Sequence, residues 1–458
     1  MGLSRLIENS FRRFLPSPFT IAVLLTVLTI LLALLFGQGP ENGNQLFHVL
    51  KLWEQGVWNN GLLVFAYQMM LILVLGHVLV LSKPMELLIL KLTGLVKNSA
   101  NAAILVALST LLVSFFNWGL GLIFGALLAR KVGEYAQAQR IPINYPLIGA
   151  CGYAGLMVWH GGISGSAPLK VSEAGHLTQL MSAFQSHPLT ANLPTSISTS
   201  ETIFSLSNVL IFITVLVSIT ALSYYLGKRA KPTPIKLSMY RFKNVDSKKS
   251  RGAERLDHSK SFSLFFGLLI LVAFMVQYLP FLKQLNLTPN LLNFFMLGLA
   301  ILLHGNFSNF LKAVEEAIGD VSGILIQFPL YFGIMGIMGG SGMINQISDF
   351  FVSISTETTL PIFTFLSAGL VNIFVPSGGG QWAVQGPLIL ESAMSLGVPL
   401  PKAVMALAYG DQLTNMLQPF WALPLLGITK LKAKEILPYT MLFMVVGGLI
   451  YMVGLLLF

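Results

Sequence analysis

The chain has 458 residues, of which 54% are hydrophobic and only 10% charged, and its mean hydropathy is +0.74. That is more apolar surface than one soluble core can bury, so a water-soluble globular protein is excluded and the bilayer is the solvent. The net charge of +10 does not indicate nucleic acid, because 11 of the 28 Lys and Arg residues sit between Lys228 and Lys260 with no aromatic platform or finger spacing beside them.

In chain order, Arg5, Arg12 and Arg13 precede the first apolar run, Phe19 to Phe36. No small-x-small cleavage site follows it, so it reads as an uncleaved first span with a cytoplasmic N-terminus. Gly61 to Leu81, Ile203 to Leu226 and Ile436 to Phe458 are each close to the roughly 18 to 20 apolar residues that cross about 30 Å of hydrocarbon as helix. Lys83, Lys91 and Lys97 place Ser82 to Ser99 inside. Ala100 to Phe116 then crosses outward, and the glycine-broken stretch Asn117 to Ala129 is predicted to be a hairpin or half-helix. Arg130, Lys131 and Arg140 return to the cytoplasm. Tyr145 to Trp159 leads outward to a polar Ser/Thr/Pro-rich loop, Gly161 to Ser200, and Ile203 to Leu226 comes back to the basic loop. Every basic cluster falls on one side of the membrane, as the positive-inside rule requires. Cys151 stands alone, which removes disulfide frameworks and thiolate metal sites, and no cofactor is implied.

The second half repeats the first at a nearly constant offset. Lys51 and Glu54 recur as Lys312 and Glu315, Gln68 as Gln327, Gly119 and Gly121 as Gly378 and Gly380, and Tyr153 and Pro168 as Tyr409 and Pro424. Phe262 to Leu279 has no counterpart, and one extra crossing between repeats inverts the second. The basic residues Lys430, Lys432 and Lys434 then lie inside, and Asn345 to Leu360, with Asp349 and Glu357 and no base, lies outside. The expected fold class is all-α, a polytopic transmembrane helical transporter with two inverted repeats and re-entrant hairpins, with about ten to twelve spans. Its expected division is a first membrane repeat over residues 1–226, a basic cytoplasmic loop over 227–260, a linking helix over 261–280 and an inverted repeat over 281–458.

Two polar, glycine-dense interruptions occupy matching places: Asn117-Trp118-Gly119-Leu120-Gly121, and Val375-Pro376-Ser377-Gly378-Gly379-Gly380-Gln381-Trp382. Successive glycines and a proline favour an unwound chain, and irregular backbone persists at membrane depth only where protein, water or a ligand completes it. Paired interruptions in two halves are the sequence mark of a transporter's binding site; close packing through small residues is the competing explanation. After each interruption comes a second polar stretch, His160 to Ser166 and Asp411 to Gln418. Asp411, Asn415 and Gln418 stand at i, i+4 and i+7, which places them on one helical face. A carboxylate near the midplane is costly enough to mark function. Asp411 is therefore a candidate to hold Na⁺ or a proton, with Gln418 and His160 beside it. Neutral donors such as Ser377, Gln381 and Asn415, together with amides at helix N-termini, suit an anionic substrate.

Two readings from other classes compete. Gly162-Ile163-Ser164-Gly165 matches G-x-S-G with His160 nearby, the outline of an intramembrane serine hydrolase, and a passive channel for small anions is compatible with inverted repeats.

Phe14-Leu15-Pro16-Ser17-Pro18-Phe19, Asn117 to Gly121, Ile326-Gln327-Phe328-Pro329, Val375 to Pro387 and Ala406 to Pro424 together resemble the bacterial short-chain fatty acid transporter family, within the wider ion transporter superfamily. The likeness runs over nearly the whole chain. It implies a secondary active carrier, not an enzyme, that moves acetoacetate, butyrate or similar monocarboxylates across the cytoplasmic membrane with H⁺ or Na⁺. It implies substrate contacts at Asn117, Trp118, Gly119, Gly121, Ser377, Gly378, Gly379, Gly380, Gln381, Trp382 and Asn415, and it leaves a homodimer open. In the family the residue after the three glycines is often His and the later acid often Glu; here they are Gln381 and Asp411. Gln381 cannot titrate, which removes a proton relay from that position.

Overall fold

The computed structural model describes residues 18–39, 43–181, 193–239, 252–284, 286–343, 346, 350, 353–374 and 378–458. They form an all-α, polytopic membrane protein. Five helices among them are long and apolar enough to cross a bilayer: Asn60–Val80, Ser99–Phe116, Leu206–Arg229, Lys260–Lys283 and Ala433–Leu457. Shorter apolar helices cover Ala22–Phe36, Pro289–His304, Leu325–Gly340 and Leu360–Asn372.

The first half runs α1 (Pro18–Phe36), α2 (Gln45–Val57), α3 (Asn60–Val80), α4 (Lys83–Thr93), α5 (Ser99–Phe116), α6 (Trp118–Ala138), α7 (Tyr145–Tyr153), the short α8 (Ser166–Lys170) and α9 (His176–Leu180), and α10 (Leu206–Arg229). Helix α11 (Lys260–Lys283) follows. The second half is α12 (Pro289–His304), α13 (Phe307–Ala317), α14 (Ser322–Gly340), α15 (Leu360–Phe374), α16 (Gly378–Leu396), α17 (Leu400–Thr414), α18 (Pro419–Thr429) and α19 (Ala433–Leu457). Helix starts are written locally in the sequence. The side chains of Asn44, Asn59, Asn98, Asn117, Asn144 and Asn306 each accept a first-turn amide, a cap worth about 1 kcal/mol. Gly305, at φ 72°, closes α12 in the left-handed conformation that glycine adopts without strain.

Each half contains a folded-back helix pair. Helix α5 stops at Phe116, Asn117 is extended, and α6 begins at once; α6 returns along α5 so closely that a Cβ on Gly121 would lie 2.0 Å from Ser114 Oγ. In the second half α15 ends at Phe374 and α16 starts at Gly378, with Gln381 Nε2 donating to Ala368 O across the pair at 2.8 Å. Each pair is followed by an interrupted helix. Helix α7 passes into a 3₁₀ turn, Ala154–Met157, and α17 into another, Asn415–Leu417, before α18 resumes.

The glycines do other work than unwinding. The break is confined to Asn117: Trp118 to Ala129 is continuous helix, the first part of the 21-residue α6. The glycines of this helix allow backbone approach instead. A Cβ on Gly125 would sit 2.1 Å from Gly152 O, and one on Gly152 2.6 Å from Gly125 O, so α6 and α7 touch backbone to backbone. Gly378, Gly379 and Gly380 likewise form the first turn of α16 rather than an unwound segment.

The predicted outer loop also differs. Residues 161–172 are almost wholly buried. Their polar groups find partners in distant helices: Ile163 N–H donates to Phe115 O, and Ser172 Oγ to Leu287 O at 2.5 Å. Internal satisfaction of this kind lets polar chain enter a hydrophobic interior.

Candidate functional site

A narrow cavity of about 20 Å³ lies where the two folded-back pairs meet the two interrupted helices. That is room for about one water, so the walls lie close together. Its wall takes Trp118 from the start of α6, Gly378 and Gly379 from the start of α16, Trp159, Leu156 and Ser166 from the stretch after α7, and Asn415 and Trp421 from the α17–α18 interruption. Met69 of α3 and Phe328 of α14 complete it. Three indoles pack as a corner: the Trp118 ring centroid is 5.6 Å from that of Trp159 and 5.2 Å from that of Trp421, the latter edge-on. Trp118 Nε1 and Trp159 Nε1 are buried donors without a hydrogen-bond partner. The wall is thus apolar and aromatic; two of its residues carry unsatisfied N–H groups, and the N-terminal ends of two long helices stand beside it, a setting that favours negative charge.

Behind Trp159 lies a buried His–Asp pair. His160 Nδ1 is 2.5 Å from Asp411 Oδ2, both side chains are fully buried, and the imidazole stacks on the Trp159 ring at 4.5 Å. The Ala167 N–H donates to His160 Nε2 at 3.0 Å, so Nε2 is the acceptor and the proton is on Nδ1, facing the carboxylate. Gln412 Oε1 accepts from the His160 and Gly161 amides at 2.9 and 3.0 Å, fixing the loop on α17.

Asn372 of α15 gathers the residues around this pair. Its Nδ2 donates to Asp411 O at 2.7 Å, Thr414 Oγ1 at 2.9 Å and Asn415 Oδ1 at 3.0 Å, and its own carbonyl accepts from Gln418 Nε2. The three carboxamides of Asn372, Gln381 and Gln418 therefore each anchor their NH₂ on a backbone carbonyl. Asn372 Oδ1, Gln381 Oε1, Gln418 Oε1 and Asp411 Oδ1 are left buried with no donor. Unsatisfied buried oxygens of this kind carry a cost that a bound cation relieves.

Of the residues singled out in the sequence, Trp118, Gly378, Gly379 and Asn415 line the cavity. Val375, Pro376 and Ser377 lie outside the described residues. Other candidates are turned elsewhere: Asn117 caps α6, donating weakly to Ile72 O at 3.4 Å, and Gly119 packs on Leu73 and Gly121 on Ser114. Gly380 and Gln381 are buried within the α15–α16 pair, and Trp382 Nε1 donates to His176 Nε2 at 3.0 Å. Asp411, Asn415 and Gln418 do not share a helical face, because α17 ends at Thr414 and Gln418 is extended; Asn372 reunites them instead. Sequence reasoning passed over Trp159, Phe328, Trp421 and Asn372. The available signal was an asparagine near the end of the apolar run Leu360–Phe374, and an indole directly before His160.

The geometry disposes of the hydrolase. Ser164 Oγ accepts from the Trp118 N–H at 2.9 Å, while both His160 ring nitrogens are engaged by Asp411 and Ala167, so no base addresses the hydroxyl. A family model described as "Short chain fatty acid transporter" matches residues 1–458. The chain belongs to this transporter family. Two curated relatives, both provisionally named short-chain fatty acid transporters, span its length. The protein of Escherichia coli (strain K12) is 36% identical over 472 residues, covering 100% of this chain and 99% of the relative. That of Haemophilus influenzae is 32% identical over 460 residues, covering 99% and 98%. Among solved structures, the YdaH transporter of Alcanivorax borkumensis aligns with a TM-score of 0.57 at 14% identity over 96% of this chain and 98% of that one. MtrF of Neisseria gonorrhoeae, from a class of antimetabolite efflux pumps, aligns with 0.58 at 14% over 98% and 97%. These two speak for the fold alone. The transporter is thus a multi-pass membrane protein of the kind found in the bacterial inner membrane.

Proposed function

We propose that this transporter is a cation-coupled carrier of short-chain monocarboxylates such as butyrate and acetoacetate across the bacterial cytoplasmic membrane. One observation carries the reading: a small aromatic cavity is lined by Trp118 and Trp159, whose indole N–H groups are buried without acceptors. A carboxylate satisfies both donors once the walls part, and a short alkyl tail suits their remaining apolar surface. Neutral donors bind an anion without the grip of a buried guanidinium, which suits a ligand that must be released on the far side.

In the same reading the halves are inverted repeats, with the N-terminus cytoplasmic, α11 as the odd crossing that turns the second over, and the α5–α6 and α15–α16 pairs as re-entrant hairpins. The repeated order of folded-back pair and interrupted helix supports this. The coupling ion belongs at Asp411. Four donorless oxygens, on Asp411, Asn372, Gln381 and Gln418, favour Na⁺ over H⁺, because hard cations collect oxygen ligands whereas one proton satisfies one acceptor.

Purified protein in proteoliposomes is expected to accumulate labelled butyrate or acetoacetate under an imposed inward Na⁺ gradient, and to show counterflow, which a channel cannot. Accumulation under a proton gradient alone would transfer the coupling to H⁺; no uptake of either acid under any gradient would refute the substrate.

A further inference from the structure

The lining of the cavity includes no Lys or Arg, yet a buried ammonium stands close by. Lys170 ends α8, the short helix whose first residue, Ser166, is part of the wall. It is 4% exposed, and its Nζ donates to Gln68 Oε1 of α3 at 3.0 Å and to Glu173 Oε2. The ammonium also lies 5.5 Å from the centre of the Phe65 ring. Phe65 in turn packs on Phe328 of the wall at 6.3 Å, and a Cβ on Gly379 would lie 2.9 Å from either ring. Phe65 therefore stands between Lys170 and the wall residues Phe328 and Gly379. On its other side the chain reaches the surface: Glu173 is 19% exposed, and Ala174 and Gly175 are exposed.

A buried cation needs a partner, and the partner here belongs to the same chemical class as the proposed substrate. We propose that Lys170 is a transient carboxylate-binding site between the surface and the cavity, with Glu173 as a built-in competitor. An arriving monocarboxylate replaces the Glu173 carboxylate on Nζ, Glu173 turns to solvent, and the substrate passes Phe65 to the indole donors. Return of Glu173 reseals the site. Gln68 holds the lysine in place meanwhile, since its Nε2 donates to Glu173 Oε1 at 2.8 Å and Asn290 Oδ1 at 3.0 Å while its Oε1 accepts from Nζ. The inference rests on the monocarboxylate reading above and adds an entry site to it.

The test is the KM for labelled butyrate in proteoliposomes of the full-length protein. Glu173→Gln removes the competitor and leaves the ammonium, so KM is expected to fall about tenfold, the scale of one charge-assisted hydrogen bond. Lys170→Gln, and the doubly neutral K170Q/E173Q, are expected to raise it by about as much. A static clamp gives a different pattern: E173Q and K170Q alike lose folded protein and maximal rate at unchanged KM, and the double variant recovers both. That pattern, or a KM that E173Q leaves unchanged or raises, overturns the proposal even if K170Q fails to fold. Failure of the substrate reading shows separately, as absence of butyrate and acetoacetate uptake by the unmodified protein, and would take the entry site with it.

Discussion

Asp411→Asn is expected to abolish gradient-driven accumulation of butyrate while leaving a folded protein. Asparagine keeps an oxygen that can accept from His160 Nδ1–H, so the 2.5 Å contact has a neutral successor and α17 retains its packing. What is lost is the negative charge that a coupling cation would balance. Breaking a buried charge interaction costs about 3–5 kcal/mol, which corresponds to a loss of about two to four orders of magnitude in coupled flux. Proteoliposome uptake with an imposed Na⁺ gradient measures it, and exchange counterflow in the same vesicles reports whether the substrate site survives. Accumulation at the unmodified level would remove Asp411 from coupling altogether.

Gly378→Val is expected to be nearly as severe, for a steric reason. A Cβ there would meet Trp159 Cη2 at 2.6 Å and His160 Cε1 at 2.8 Å. Neither ring can yield easily, because the two stack on each other and the imidazole is held by Asp411 and Ala167. Overpacking of this sort costs about 1–3 kcal/mol, and here it also pushes the valine toward the cavity and the His160–Asp411 pair out of register. Uptake should drop by about a hundredfold with a normal elution profile in size-exclusion chromatography. Gly427→Ala is the control: nothing lies within 4 Å of its added Cβ, and uptake should be unchanged. Equal activity of the two variants would mean that Gly378 does not border the working site.

Much of the membrane architecture was legible because lipid imposes simple rules. The runs Phe19 to Phe36 and Ile436 to Phe458 predicted helices that the structure places at Pro18–Phe36 and Ala433–Leu457, since a bilayer admits little besides apolar helix. The interruption at Asn117 was legible as well, because asparagine there both ends α5 and caps α6. Glycine was harder to read. In sequence it signals unwinding or close approach equally, and only the facing carbonyl of Gly152 shows which one Gly125 serves. The stretch from Gly161 onward looked aqueous because its polarity was visible and its partners, Phe115 O and Leu287 O, were not. For the same reason the sequence names His160 and Asp411 together but does not show that the carboxylate lies directly against the imidazole. The meeting of Trp118, Trp159 and Trp421 depends on three separate helix breaks converging in space, which no local pattern encodes.

The site has deficits of opposite kind on its two sides: indole hydrogens lacking acceptors and side-chain oxygens lacking donors. In the carrier proposed here, an anion filling the first without a cation on Asp411 puts two uncompensated negative charges close together in a medium that screens them poorly. The anion-only form is thus penalised by electrostatics before any gate moves. Substrate leak without its cation is held down by charge repulsion itself, with no dedicated lock to enforce it.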